Sequence, residues 1–352
     1  MNTHERMTRV YNHKEADRIP IWDSPWETTI ARWNNEGLVK GRDYRDVLDL
    51  DKVYTFKADN SPGYPEKTLE ETNEYKLYTT NWGATLKSWK HATSTPEFVD
   101  FTMKDRESWQ KAKERMVPDA NRIPWDTLKT VYPKWRKDNG WVVFQGWFGF
   151  DVTHSWMVGT EKILMALVED PEWCVEMFNH QLDVQLKLYD MMWEAGYKFD
   201  AFWWWDDMGY KHNQFFSLNM YRELLKPVHK RAIDWVHAKG AKAHLHSCGD
   251  IRPFVSELVE IGLDALNPIE VKAGMDAVKI KNDYGRKLTL HGGIDAVSWG
   301  NKEKILSEIN ATIPSLKEDG GYIFSTDHSI PDSVSFGDFK EIIERIKVVG
   351  SY

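Results

Sequence analysis

Three segments decide the fold: Ala201-Phe202-Trp203-Trp204-Trp205-Asp206-Asp207, Ala243-His244-Leu245-His246-Ser247-Cys248-Gly249-Asp250 and Ala265-Leu266-Asn267-Pro268-Ile269-Glu270. Each is a short apolar run that stops at polar residues. Amphipathic stretches of helical length alternate with them: Ser217 to Lys239, Ile251 to Ile261 and Met275 to Tyr284. Strands that alternate with helices need crossover connections and therefore a parallel sheet. The pattern continues both ways. Upstream, Trp141 to Gln145 precedes the helical stretch Glu161 to Ala195, which Pro171 should break. Downstream, Leu288 to His291 and Tyr322 to Ser325 alternate with Lys302 to Leu316 and Phe336 to Val348. Ile19 to Asp23 and Lys52 to Phe56 bring the count to eight strands, provided that the polar, alternating piece Glu66 to Trp89 is a β-hairpin excursion. The expected fold class is α/β: a single (β/α)8 TIM barrel over residues 1–352, with an N-terminal extension and that excursion. No Gly-x-Gly-x-x-Gly follows a strand, which disfavours a dinucleotide-binding fold.

Composition narrows the function. A net charge of −8 without a basic stripe excludes a phosphate-neutralising, nucleic-acid-binding surface. No run of about 18 apolar residues occurs and Met1 to Arg6 lacks a signal-peptide core, so a cytoplasmic protein without membrane attachment is expected. Two cysteines, Cys174 and Cys248, are too few for a disulfide framework. The 18 tryptophans stand out, because clusters of them beside a cleft suit a flat aromatic ligand.

In a parallel barrel the strand ends converge on one mouth. His246 and Cys248 lie two apart in an extended segment and point the same way, as an imidazole and a thiolate gripping zinc would. An isolated pair of this kind also describes a core histidine beside an inert cysteine. Glu270, His291 and His328 arrive at neighbouring strand ends and complete the expected metal set of His246, Cys248, Glu270, His291 and His328. His244, of the same parity but earlier in its strand, is expected inside the barrel. Asp207, Cys248 and His291 are the expected catalytic residues. Trp22, Trp26, Gln145, Trp147, Asp206 and Tyr210 are the expected substrate contacts, with Trp205 a further member of an aromatic cage. Asp206 could equally cap a helix, and Trp204 should pack.

The strings Asp206-Asp207-Met208-Gly209, His246-Ser247-Cys248-Gly249-Asp250, Gly262-Leu263-Asp264-Ala265-Leu266-Asn267-Pro268, His291-Gly292-Gly293-Ile294-Asp295 and Gly320-Gly321-Tyr322-Ile323 resemble, in order and spacing, the uroporphyrinogen decarboxylase superfamily. Asp17-Arg18-Ile19-Pro20-Ile21 resembles that family's first strand. The resemblance implies a barrel and one of two chemistries. Decarboxylases of the family hold a polyanionic porphyrinogen with an Arg-rich segment after the first strand, where this chain has Trp22-Asp23-Ser24-Pro25-Trp26-Glu27. The other branch consists of methyltransferases that work with a corrinoid protein. Its coenzyme-M-type members place zinc on a His-x-Cys pair, matched by His246 and Cys248, and on a distant Cys whose position holds His328. Ether-cleaving demethylases of the group use two Glu and a His; Glu270 and His291 match the second Glu and the His, while the first Glu falls on Val255, near Glu257. The resemblance thus implies a zinc-dependent methyltransferase acting on a small, methoxylated aromatic or related substrate, with cobalamin supplied by a partner corrinoid protein. Two other readings stay open: a decarboxylase, and a catalytically silent ligand-binding barrel.

Overall fold

In the computed structural model, which describes residues 1–91 and 95–352, the apolar runs become strands. Val53–Phe56 (β1) is followed by Thr68–Glu71 (β2), Tyr75–Thr79 (β3), Ala84–Trp89 (β4) and Glu97–Phe101 (β5). Then come Trp141–Trp147 (β6), Ala201–Trp205 (β7), the two-residue pair Gly209–Tyr210 (β8) and Asn213–Gln214 (β9), Lys242–His246 (β10), Ala265–Asn267 (β11), Thr289–His291 (β12) and Tyr322–Ile323 (β13). Seven of them form one parallel sheet in the order β1-β6-β7-β10-β11-β12-β13, with helices in the crossovers. Pro171 does break the long helical stretch: one helix covers Thr160–Glu169, Asp170 caps the next, and that second helix runs Pro171–Glu194 with the proline in its first turn, where its missing N–H costs nothing.

Side-chain parity shows that the sheet curls into a TIM-like barrel. Successive residues of a strand face opposite sides. Phe144, Phe202, Trp204, Leu245, Leu266 and Leu290 pack outward in the large core that joins sheet to helices. The alternate residues Val53, Val143, Ala201, Ala265 and Ile323 gather in a second buried cluster. Because β1 and β13 are opposite edges of the sheet, Val53 and Ile323 share a cluster only if the sheet wraps round. Helix Thr3–Tyr11 closes the bottom of this interior with Met7, Val10 and Tyr11, all at most 1% exposed. Tyr11 Oη lies 2.9 Å from Nδ1 of the interior His244.

The backbone ladder does not run all the way round. Past β13, Ile21 makes a parallel bridge to Phe324: Trp22 N–H donates to the Phe324 carbonyl (3.0 Å) and Phe324 N–H to the Pro20 carbonyl (2.8 Å). Pro20 cannot donate, which suits a short segment at a sheet edge. Between this segment and β1 the closure is made by a side chain. Asp51, 2% exposed, accepts hydrogen bonds from Ile21 N–H (2.8 Å), from Arg18 Nη1 (2.7 Å) and from Arg6 Nη1.

The excursion is larger than a hairpin. β2 to β5 form a four-stranded antiparallel meander. An isolated hairpin is marginal in water, and added strands stabilise it. β5 gave no signal in the sequence because its residues are almost all exposed and show no apolar alternation. Among the described residues, no helix is long and apolar enough to cross a membrane.

Breaking a buried charge cluster strands its partners. Asp51→Ala should therefore lower the unfolding free energy by about 3–5 kcal/mol in urea titration, and Asp51→Asn, which keeps an acceptor, by less. A change below about 1 kcal/mol for the alanine variant would show that the seam does not depend on this carboxylate.

Candidate metal centre and chamber

Parallel pairing sets inward-facing residues side by side at the C-terminal ends of the strands. Trp147 pairs with Trp205, Trp205 with His246, and His246 with Asn267. Just beyond the strand ends, Asp207 and Cys248 continue the inward parity. Gly249, at φ +83°, turns the chain sharply after Cys248; a Cβ there would lie 2.1 Å from the backbone of Gly209, so only glycine fits.

The hydrogen bonds fix the protonation pattern. Asn267 Nδ2 donates to the His291 carbonyl (2.9 Å), which orients its amide and turns Oδ1 toward His246. His246 Nδ1–H must donate to that oxygen, so its Nε2 carries the lone pair. That atom lies 3.3 Å from Cys248 Sγ and 3.8 Å from Asp207 Oδ1. The three ligating atoms are all within 4.8 Å of one another, the one such group among the described residues. Bonds of 2.0–2.3 Å to a tetrahedral zinc place ligand atoms about 3.3–3.8 Å apart, so the set fits zinc in spacing and in its N, S and O donors. The electrostatics also call for a cation. Burial, then the charges of Asp207, Glu270 and Asp151, push the Cys248 thiol well above its usual range. Burial, then Asp151, does the same to the Asp207 carboxyl. A bound cation would reverse both shifts.

A chamber of about 380 Å³ is lined on one side by His246 and Cys248 of this cluster. Its walls include Trp22, Trp203, Trp205, Gln145, His291 and Asp23, and among the described residues no lysine or arginine lines it. His291 donates from Nε2 to the Trp22 carbonyl (2.8 Å) and stacks on the Trp22 ring at 4.6 Å. Nδ1 is then an acceptor, and it is buried without a partner. Burial holds His291 down at about 4, so it is neutral near pH 7. Asp23 is raised by burial to about 6, against the pull of the Thr326 and Ser24 N–H groups.

A family model described as uroporphyrinogen decarboxylase (URO-D) matches residues 152–349, more than half of the chain. The chain belongs to the uroporphyrinogen decarboxylase family. No curated protein sequence matches it. Among solved structures it is similar to a methyltransferase from Methanosarcina mazei, with 13% identity and a TM-score of 0.67 over 98% of each chain. It is also similar to a B12-independent methionine synthase from a Shewanella species in complex with selenomethionine, with 8% identity and a TM-score of 0.46 over 97% of this chain and 96% of that one. At such identity the first likeness shows a shared fold. The matched stretch of this uroporphyrinogen decarboxylase family member contains Asp207, His246, Cys248 and His291, whereas Trp22, Gln145 and Trp147 lie outside it.

The structure rearranges the residues singled out in the sequence. Of the expected metal ligands only His246 and Cys248 meet, and Asp207 joins them. Glu270 is engaged elsewhere: one oxygen accepts Gly249 N–H (2.6 Å), the other lies 3.4 Å from Lys272 Nζ. His291 and His328 line the same chamber as the pair but do not join it: His291 spends Nε2 on Trp22, and His328 lies at the exposed edge with its ring 5.6 Å from Trp26. Trp22 and Gln145 line the chamber as substrate contacts would. Asp206 cannot touch a substrate: its side chain is fully buried, accepting Asp151 N–H (2.7 Å) and facing His229 Nε2 (2.8 Å). Parity could have told this, since Asp206 faces outward with Trp204. Trp26 and Tyr210 do not line the chamber; Tyr210 is exposed on the β8–β9 turn against Phe215. Trp147 faces a neighbouring cavity. Sequence reasoning missed Trp203 and the orienting Asn267, although both have inward parity.

His291 gives a pH signature. Above pH 6.5 its imidazole is neutral in both the folded and the unfolded chain and adds no pH dependence. As pH falls, the unfolded chain takes up a proton that the folded one refuses until about pH 4. Stability should therefore fall across that window by roughly 3 kcal/mol from this residue. Asp23 acts in the opposite sense, so the measurement compares urea unfolding of wild type and His291→Gln between pH 6.5 and 4. The wild type should lose more, and parallel curves would contradict a neutral buried imidazole.

Proposed function

We propose that this chain is a zinc-dependent methyltransferase that moves a methyl group between a small substrate and a corrinoid held by a partner protein. The observation that carries this reading is the meeting of a lone-pair imidazole nitrogen, a thiol and a carboxylate, the first two of them lining a chamber that has no lysine or arginine among the described residues of its wall. His246, Cys248 and Asp207 would hold the metal. Zinc, when bound, supplies Lewis acidity that lowers the pKa of a thiol or polarises an ether oxygen. Asn267 keeps the His246 tautomer that ligation needs, as hydrogen-bonded partners of metal-binding histidines do. His291, neutral and with a free Nδ1, accepts a hydrogen bond from a substrate hydroxyl or thiol. Trp22 and Trp205 shield the chamber from water. The cobalamin belongs to the partner, which meets this chain at the strand-end mouth. We read Ile19 to Asp23 as the eighth strand of a (β/α)8 plan and residues 1–352 as one catalytic domain working in the cytoplasm.

The decarboxylase alternative needs cations for a polycarboxylate, and Arg is the side chain suited to hold them. Among the described residues, none lines the chamber. A silent barrel leaves unexplained why an imidazole and a thiol are oriented toward one another at its mouth.

The test pairs metal analysis with turnover. Wild type should purify with near one zinc per chain, and Cys248→Ala and His246→Ala should lose it together with methyl transfer to a corrinoid protein. Asn267→Leu should weaken zinc binding by about 10- to 100-fold while the fold persists. Efficient decarboxylation of uroporphyrinogen by metal-free wild type would overturn the assignment.

A further inference from the structure

A second group of reactive side chains lies outside the metal chamber, where β6 passes into the helix Thr160–Glu169. The connection contains a π-helical turn, Thr153–Met157, a form that is rare overall and frequent at functional sites. His154 sits in that turn with its side chain 12% exposed and its ring stacked on Phe150 at 4.7 Å. Its Nε2 lies 3.4 Å from Asp151 Oδ1, and its Nδ1 lies 3.1 Å from Thr160 Oγ1. Asp151 is buried and held in place, because Trp147 Nε1–H donates to its other oxygen at 2.6 Å. A carboxylate only accepts, so in the neutral ring Nε2 carries the proton and the Nδ1 lone pair accepts the Thr160 hydroxyl. Hydroxyl, base and base-orienting carboxylate thus follow one another within hydrogen-bond reach, the arrangement that activates an oxygen nucleophile.

Thr160 is exposed and opens its helix. Gly159 before it, at φ +97°, brings no side chain to cap the first turn, so backbone N–H groups stand uncapped beside the hydroxyl. Such donors stabilise an oxygen that gains negative charge. Thr160 also lines a cavity of about 890 Å³ between β5 and this helix. Phe101, Val158, Met165 and Trp173 give the cavity an apolar wall, and Trp173 is buried with its indole N–H unpartnered. Among the described residues that line it, five acids face three bases. The bases are engaged: Lys104 by Asp100, Arg106 by Asp170 and Lys162 by the Lys104 carbonyl. An uncharged guest therefore suits the cavity better than an anion.

We infer that Thr160 and His154, positioned by Asp151, form a second catalytic site that hydrolyses uncharged esters of short aliphatic acids. Thr160 Oγ1 attacks the ester carbonyl carbon while its proton passes to His154 Nδ1. The carbonyl oxygen takes the negative charge beside the uncapped N–H groups. The bond to the alcohol oxygen then breaks, and the alcohol leaves with the proton from His154. Water attacks the acyl group on Thr160 and gives a proton to His154; the bond from Oγ1 to the acyl carbon breaks, the acid departs and Thr160 regains its proton. Ester and water become acid and alcohol. The acyl chain lies against Phe101 and Trp173. This activity is separate from methyl transfer and does not rest on it.

The test gives 4-nitrophenyl butyrate to the full chain as purified, following nitrophenolate release and locating the butyryl group by peptide mass spectrometry. Wild type should hydrolyse the ester and carry butyryl on Thr160. Thr160→Val, which keeps the shape of an exposed side chain, should lose both activity and adduct, whereas Thr160→Ser, which keeps the hydroxyl, should retain them. His154→Gln should lower kcat about a hundred-fold or more. Asp151→Asn should lower kcat and leave KM unchanged, as loss of an orienting group does and loss of a merely structural one does not. The comparison at Thr160 stands even where a variant of the buried Asp151 misfolds. Hydrolysis by wild type no faster than by Thr160→Val, or butyryl on Cys248 or a lysine in place of Thr160, would overturn the proposal.

Discussion

A single buried carboxylate joins the two edges of the sheet. Asp51 lies just before β1 and holds Ile21, Arg18 and Arg6 from the far side of the seam. A parallel ladder closes a barrel only where strands keep pairing register; here a short segment starting with a proline meets β1 without backbone pairing, and an ionised side chain takes the place of ladder bonds. The effect reaches the chamber through two covalent neighbours. Once Ile21 is fixed, Trp22 presents its carbonyl to His291, and Asp23 accepts the Thr326 N–H at 2.9 Å. The orientation of an imidazole on β12 thus depends on a carboxylate in a loop between the N-terminal helices and β1.

Above the seam the inward face of the barrel changes character along its axis. Its lower rows are apolar, with Trp141 stacked on Tyr11 among aliphatic side chains, its middle carries Trp203 and His244, and its upper end carries Asp207, His246 and Cys248. Burial sorts the charge states accordingly: the imidazoles are driven neutral, while the carboxyls and the thiol are driven toward their protonated forms. Burial is the largest cause of every shift, and neighbouring carboxylates add to those of Cys248 and Asp207. Such a site favours a dication or an uncharged guest over an anion.

Much of this was legible in the chain. Period-two parity from Trp203 to Asp207 and from His244 to Cys248 places the right side chains inward, and strand-helix alternation gives a parallel sheet. Legibility failed where parity breaks. After β11 the chain passes Pro268 and Ile269, whose φ is +59°, so Glu270 no longer follows the strand and turns to the Gly249 backbone. His328 lies beyond β13 in a loop and ends on the rim. Trp82 and Trp156 come from a meander turn and a helical segment about seventy residues apart, and only packing brings them near Trp147. Asp51 resembled any loop aspartate, because its partners are thirty or more residues away in Ile21 and Arg18 and farther still in Arg6.

The helix Thr3–Tyr11 makes the barrel a blind well. With Met7, Val10 and Tyr11 sealed into its floor, nothing passes through, and whatever reaches Cys248 must leave by the way it came. Reactants that meet there all approach from the strand-end side, so either they occupy it together or the first withdraws before the second enters. A through-channel would let successive visitors queue from opposite ends; the closed floor leaves them only the strand-end side of the barrel.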